Sequence, residues 1–164
     1  TVRELGGTAR PVDLPDLPTE PIMTLLVVEA AAAFDALIRG DGADALVRQD
    51  PEAWPTLLRA ARFVPAADYV QAQRLQRLVR DGVARLFREI DVLASPGTDG
   101  PAMLLGNAAG APAATLPCGR GEGGRPPGNV ALLARPFFEH QALGLAHAVQ
   151  ARQGPLPVPP GFEA

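Results

Sequence analysis

The sequence predicts an α/β chain, a helix-covered mixed sheet. Three observations point there. Long segments repeat their apolar residues at helical spacing. Three short apolar runs, DVLAS, AATL and NVALLA, are bounded by glycine and proline. The two kinds of segment are interleaved along the chain, the pattern of a sheet packed under helices.

The elements follow in order. VRELGG reads as the last turn of a helix, stopped at Gly6-Gly7. TARPVDLP reads as a short strand held between Pro11 and Pro15. Thr19 is a suitable cap for a helix over residues 20–39, with Glu20 and Pro21 in its first turn and Gly40 at its end. That helix is apolar on most faces, so burial on several sides is expected. Glu29 lies inside it; a buried carboxylate needs a partner, and arginine is the expected one.

Residues 40–50 read as a polar loop, and Pro51 to Arg62 as a helix. A longer helix covers Ala66 to Glu89. Leu75, Leu78, Val79, Val83, Leu86 and Phe87 recur at spacings of three and four, the mark of a docked face. Arg74, Arg77, Asp81, Arg85 and Arg88 line another face, expected to be solvated or salt-bridged. DVLAS is then a buried strand stopped by Pro96-Gly97. Residues 97–112, rich in glycine, alanine and proline, read as a loop. AATL and NVALLA form an expected hairpin across the GRGEGGRPPG turn. NVALLA has no polar alternation, so both of its faces should be covered. A helix from Phe138 to Arg152 follows, and residues 153–164 form an extended proline-rich tail.

Composition narrows the function. The length of 164 residues suits one domain, and 47% hydrophobic with 20% charged residues suits a folded one. A net charge of −3 gives no basic face for nucleic acid, and no apolar run is long enough to span a membrane. TVRELGGTARPVDLPDLP has no basic-then-apolar signal pattern, so a cytoplasmic location is expected. One cysteine, Cys118, excludes an intrachain disulfide, and a buried position is expected for it. His140 and His147 stand seven apart on one helix, a poor metal spacing, so neither a metal site nor a cofactor is expected. GRGEGG lacks the Gly-Lys-Ser/Thr of a phosphate loop. Every one of the fifteen basic residues is arginine, and Ser95 is the one serine. Lysine chemistry, or any pair of serines, cannot come from these residues.

Three ordered stretches resemble the C-terminal region of the amidase signature family. They are GNAAGAPAATLPCG at 106–119, GGRPPGNVALLARPFFEHQALGLAHAVQ at 123–150, and AARFVPAADYVQAQRLQRLV at 60–79 followed by DVLASP. VRELGGTARPVDLPDLP and VVEAAAAFD fit what precedes them, so the resemblance covers nearly the whole chain. It implies the C-terminal part of an α/β/α fold. The motif residues have scaffold roles: glycines for close packing, Pro117 to end one strand, Arg135-Pro136 to end the next, and Asn107 to satisfy backbone groups. The resemblance also implies hydrolysis of amide carbon–nitrogen bonds by a serine, a second serine in a cis peptide, and a lysine. None of these is carried over onto a position here, so no catalytic residue is assigned.

Two function classes follow. The first is the C-terminal fragment of such a hydrolase, inactive alone and partnered by an N-terminal portion with the serine/lysine segment. The second is a non-catalytic binding or self-associating module on the same fold. A small enzyme built on Ser95 or Cys118 ranks below both.

Overall fold

A computed structural model describes residues 1–18, 20–97, 100–118 and 128–154. The helix cap expected at Thr19, the turn over residues 119–127 and the tail from residue 155 lie outside the described residues. The chain forms two compact units, residues 17–79 and residues 1–16 with 80–164.

The helical unit opens with α1, Glu20–Ala33, and α2, Asp35–Arg39, where one helix over 20–39 was expected. The two meet at Phe34, whose φ of −98° and ψ of 24° leave the helical region. Its N–H still reaches the Ala30 carbonyl at 2.8 Å. Gly40 ends α2 as expected. Helix α3, Trp54–Ala61, is shorter than the predicted 51–62. Leu58 and Ala61 of α3 close on Ala31, with Val27, Val28 and Ile38 packed around them. Burial of α1 is one-sided. Ile22, Leu25 and Ala31 are covered, while Met23 and Leu26 are exposed. Glu29 is exposed too, against the buried position expected, and its partner is no arginine. The Tyr69 hydroxyl donates to Glu29 Oε1 at 3.2 Å, and Gln73 Nε2 donates to that hydroxyl at 3.1 Å.

Helix α4, Ala66–Leu86, runs out of this unit into the other. Val79, Val83 and the following Phe87 are buried as their spacing predicts, although Leu78 is exposed. The stripe of Arg74, Arg77, Asp81, Arg85 and Arg88 is solvent-exposed.

The second unit holds the sheet: β1, Val92–Pro96; β2, Ala113–Cys118; β3, Gly128–Ala134; order β1-β3-β2. Both ladders are antiparallel, where a mixed sheet was expected. The predicted hairpin pairing of AATL with NVALLA is present. In β3, Ala131, Leu132, Leu133 and Ala134 are all buried, so both faces are covered as the unbroken apolar run requires.

One face carries Leu116, Leu132 and Ala134. It packs on Ala142 and Val149 of α6, Glu139–Gln153. The other face carries Leu93, Ala131 and Leu133. Against it lies α5, Pro101–Ala109, in the segment expected to be a loop. Here proline and glycine punctuate a helix rather than prevent one. Pro101 occupies its first turn, and Gly110 closes it at φ +74°. Gly106 sits inside α5 where a Cβ would meet Leu133.

Pro117 does not end β2. The strand runs on to Cys118, and Pro117 pairs across to Asn129. The hydrogen bond from Ala134 N to Pro112 O sets the alternation of that ladder, and it turns the nitrogen of Pro117 to the outer edge. No ladder bond is lost there.

At the N-terminus, Gly7 N bonds Val2 O at 3.0 Å and Gly6 N bonds Arg3 O at 3.1 Å, with Gly6 at φ +84°. That is the helix-ending turn expected at Gly6-Gly7. Residues 8–15, expected as a strand, take no regular structure and pair with no strand among the described residues.

Candidate functional site

A groove of about 680 Å³ opens in the sheet unit, lined on one side by residues 7–12 and on the other by residues 89–96. Arg10 fastens its rim. One guanidinium nitrogen lies 3.4 Å from both the carbonyl and the carboxylate Oε2 of Glu89. Both side chains are half or more exposed, so this pair contributes at most about 1 kcal/mol. The floor runs along β1, an edge strand.

Ser95 lines this groove and is half-buried. It pairs with Ala131 in the β1–β3 ladder, and so shares the sheet face of Leu93 and Leu133. His140 and His147 are exposed on α6, which packs on the opposite face. No histidine lines the groove, so a Ser95–His pair is not assembled. The Arg135 guanidinium stacks 3.6 Å from the Phe138 ring centre, and that ring lies 5.5 Å from the His140 ring. Cys118 is exposed at the end of β2, contrary to the buried position expected. It is the last residue of β2. Asn107 is also exposed; its backbone carbonyl, not its amide, accepts from Gly110 N at 3.1 Å. Phe137, between Pro136 and Phe138, is 90% exposed at φ +68°.

The groove therefore offers backbone edge groups, the hydroxyls of Thr8 and Ser95, the carboxylates of Glu89 and Asp91 and the Arg10 guanidinium, without a histidine or lysine to relay a proton. Sequence reasoning missed the groove because no side-chain motif marks it. The one available signal was Pro96 at the end of an apolar strand, a residue suited to an edge.

No family model matches the chain. Its relatives are informative. It is 31% identical over 145 aligned residues to the A-subunit of the glutamyl-tRNA(Gln) amidotransferase of Thioalkalivibrio sulfidiphilus, covering 76% of this chain and 29% of that one. It is 29% identical to the corresponding polypeptide of Pseudomonas savastanoi pv. phaseolicola, over 91% of this chain and 39% of that one. The peptide amidase of Stenotrophomonas maltophilia superposes on 99% of the chain with a TM-score of 0.75, at 23% identity and over 39% of its own length. The chain belongs to the amidase signature family and matches its C-terminal portion. Its helix-covered sheet is thus the amidase fold, in the part that this portion contributes. The chain spans 39% or less of the length of these amidotransferase relatives. Among the described residues, no helix is long and apolar enough to cross a membrane.

Proposed function

We propose that residues 1–164 are the C-terminal part of an amidase domain that hydrolyses amide carbon–nitrogen bonds, and that they catalyse no turnover by themselves. Residue supply carries this reading: fifteen arginines, no lysine and one serine. The chemistry implied by the amidase signature resemblance needs two serines and a lysine, and at most one of the three could come from here. Ser95 is a poor candidate even for that one, since it is half-buried in a ladder position and no histidine lines its groove. On this reading the chain shapes and covers the substrate side of the sheet. A portion carrying the serine/lysine segment, in the same or another polypeptide, supplies the nucleophile.

The test is an amidase assay on the purified chain with simple amides, alone and after co-expression with the serine/lysine-bearing portion of the Thioalkalivibrio relative. No turnover alone and turnover in the complex are expected. Turnover by the pure chain that a serine-directed inhibitor abolishes overturns the proposal. A stable, inactive self-associated form that ignores the added portion favours a non-catalytic module instead.

A further inference from the structure

The loop over residues 44–50 is braced from within. Gln49 Nε2 donates to the Ala43 carbonyl at 2.9 Å and to the Leu46 carbonyl at 2.8 Å. The Arg48 guanidinium grips Asp50 through two bonds, at 2.9 and 3.0 Å, and Arg59 of α3 holds Asp44. A loop fixed in this way loses little freedom on docking. Its apex is nonetheless apolar: Val47 is 100% exposed, and Leu46 beside it is exposed too. In the chain, Asp41, Asp44, Asp50 and Glu52 flank that apex, all exposed, and outnumber Arg48 and Arg59. The same helical unit carries the converse surface on α4. Val70, Arg74, Arg77 and Leu78 share one face of that helix, and all four are exposed. Neither arginine has a carboxylate partner among the described residues, and Arg74 reaches only the amide oxygen of Gln71, at 3.4 Å. An apolar tip flanked by acid and an apolar face flanked by arginine match in both respects. Among the described residues, no hydrogen bond or ion pair joins the two within one chain.

We propose that a second copy of this chain seats its 44–50 loop on the α4 face of the first and receives the first copy's loop on its own α4, as a two-fold pair. The occupant is a second copy because one chain carries both halves of the complementary surface, and a copy is present wherever the chain is. Leu46 and Val47 lie against Val70 and Leu78 of the other copy. The carboxylates flanking the apex meet Arg74 and Arg77, which have no ion pair of their own to give up. The pairing uses residues 41–78 alone, so it does not rest on the function proposed above.

Sedimentation equilibrium of the full chain tests this. A dimer is expected below about 100 μM at low salt, weakening several-fold at about 0.5 M salt because exposed ion pairs are screened. Val47→Arg puts a cation where the loop meets the arginines, and the double change Arg74→Glu with Arg77→Glu puts acid where it meets the carboxylates. Each should weaken pairing by about tenfold or more, and the helical circular dichroism should stay unchanged because every altered side chain is exposed. Mixing the two variants should restore a mixed dimer, since the arginine-bearing loop of one then faces the glutamates of the other and the remaining junction is unaltered. Leu143→Asp, at an exposed apolar position of α6 outside both surfaces, should leave pairing as it is. A chain that stays monomeric up to about 100 μM overturns the proposal. So does pairing that survives either variant, pairing that Leu143→Asp also abolishes, or variants that remain monomeric when mixed. None of these outcomes bears on the amidase assay, so the proposed function stands or falls separately.

Discussion

A methyl group placed on Gly106 would lie 2.2 Å from Leu133 Cδ2. Helix α5 therefore reaches β3 through a residue with no side chain, and Leu133 fills the space left for it. Leu133 is 1% exposed, so it has little room to retreat.

Gly106→Ala should destabilise the fold despite alanine's better helix propensity. Overpacking costs about 1–3 kcal/mol, and the propensity gain offsets about 1 kcal/mol of that. Gly144, in α6, supplies the contrast because a methyl there meets nothing within 4 Å. Gly144→Ala should stabilise by up to about 1 kcal/mol. Urea midpoints of the two variants should move in opposite directions; equal shifts would dismiss the close approach.

Leu133→Ala should cost about 2–5 kcal/mol by opening a cavity. Combined with Gly106→Ala it should cost less than the sum of the two, because the added methyl occupies vacated space. A double-mutant cycle should give a favourable coupling of about 0.5–3 kcal/mol. Additive losses would mean that the two residues do not share that volume.

Phe137 holds a left-handed backbone conformation while its ring is almost wholly in solvent. That conformation costs a bulky residue about 1–2 kcal/mol, and an exposed ring returns little. Phe137→Asn should raise the melting temperature of the isolated chain, since asparagine adopts this conformation more readily. A lower melting temperature would show that the ring is buried in solution.

Acid should loosen the helical unit through Asp35. Its carboxylate receives hydrogen bonds first from Arg62 and then from Arg39, which hold its pKa below the ordinary 3.8. A depressed pKa in the folded state adds stability above the unfolded value, and that stability fades as pH drops below about 3.8 toward the folded value. Asp35→Asn should flatten this part of the acid-unfolding profile and leave stability near neutral pH only modestly lower. An unchanged profile would remove Asp35 from the acid response.

Cys118 should react with a thiol reagent in the folded chain about as fast as in urea, because its side chain is exposed at the edge strand. Strong protection under native conditions would contradict that position.

Much of this fold was legible where one signal ruled alone. The unbroken apolar run of NVALLA gave a strand covered on both faces. The spacing of Val79, Val83 and Phe87 gave the docked side of α4. The arginine stripe proved to be the solvated face its charge implies. The misses came where a residue has two opposite uses. Pro101 and Gly110 read as breakers, yet they punctuate α5, whose interior is Ala-Met-Leu-Leu. Pro117 read as a strand stop, but on an edge its missing N–H is harmless. Residues 8–15 have strand-like composition, but a strand also needs a neighbour, and composition cannot show one. The groove escaped for the same reason, being made of backbone groups whose orientation only a register reveals.

Pro96 and Pro117 stand near the same end of two parallel-running outer strands, each with its ring nitrogen turned toward a prospective neighbour. A second sheet sliding alongside would find a gap in the donor row on either flank. Runaway stacking of copies into fibrils should stall at those two rings, although the strands between them are apolar enough to invite it.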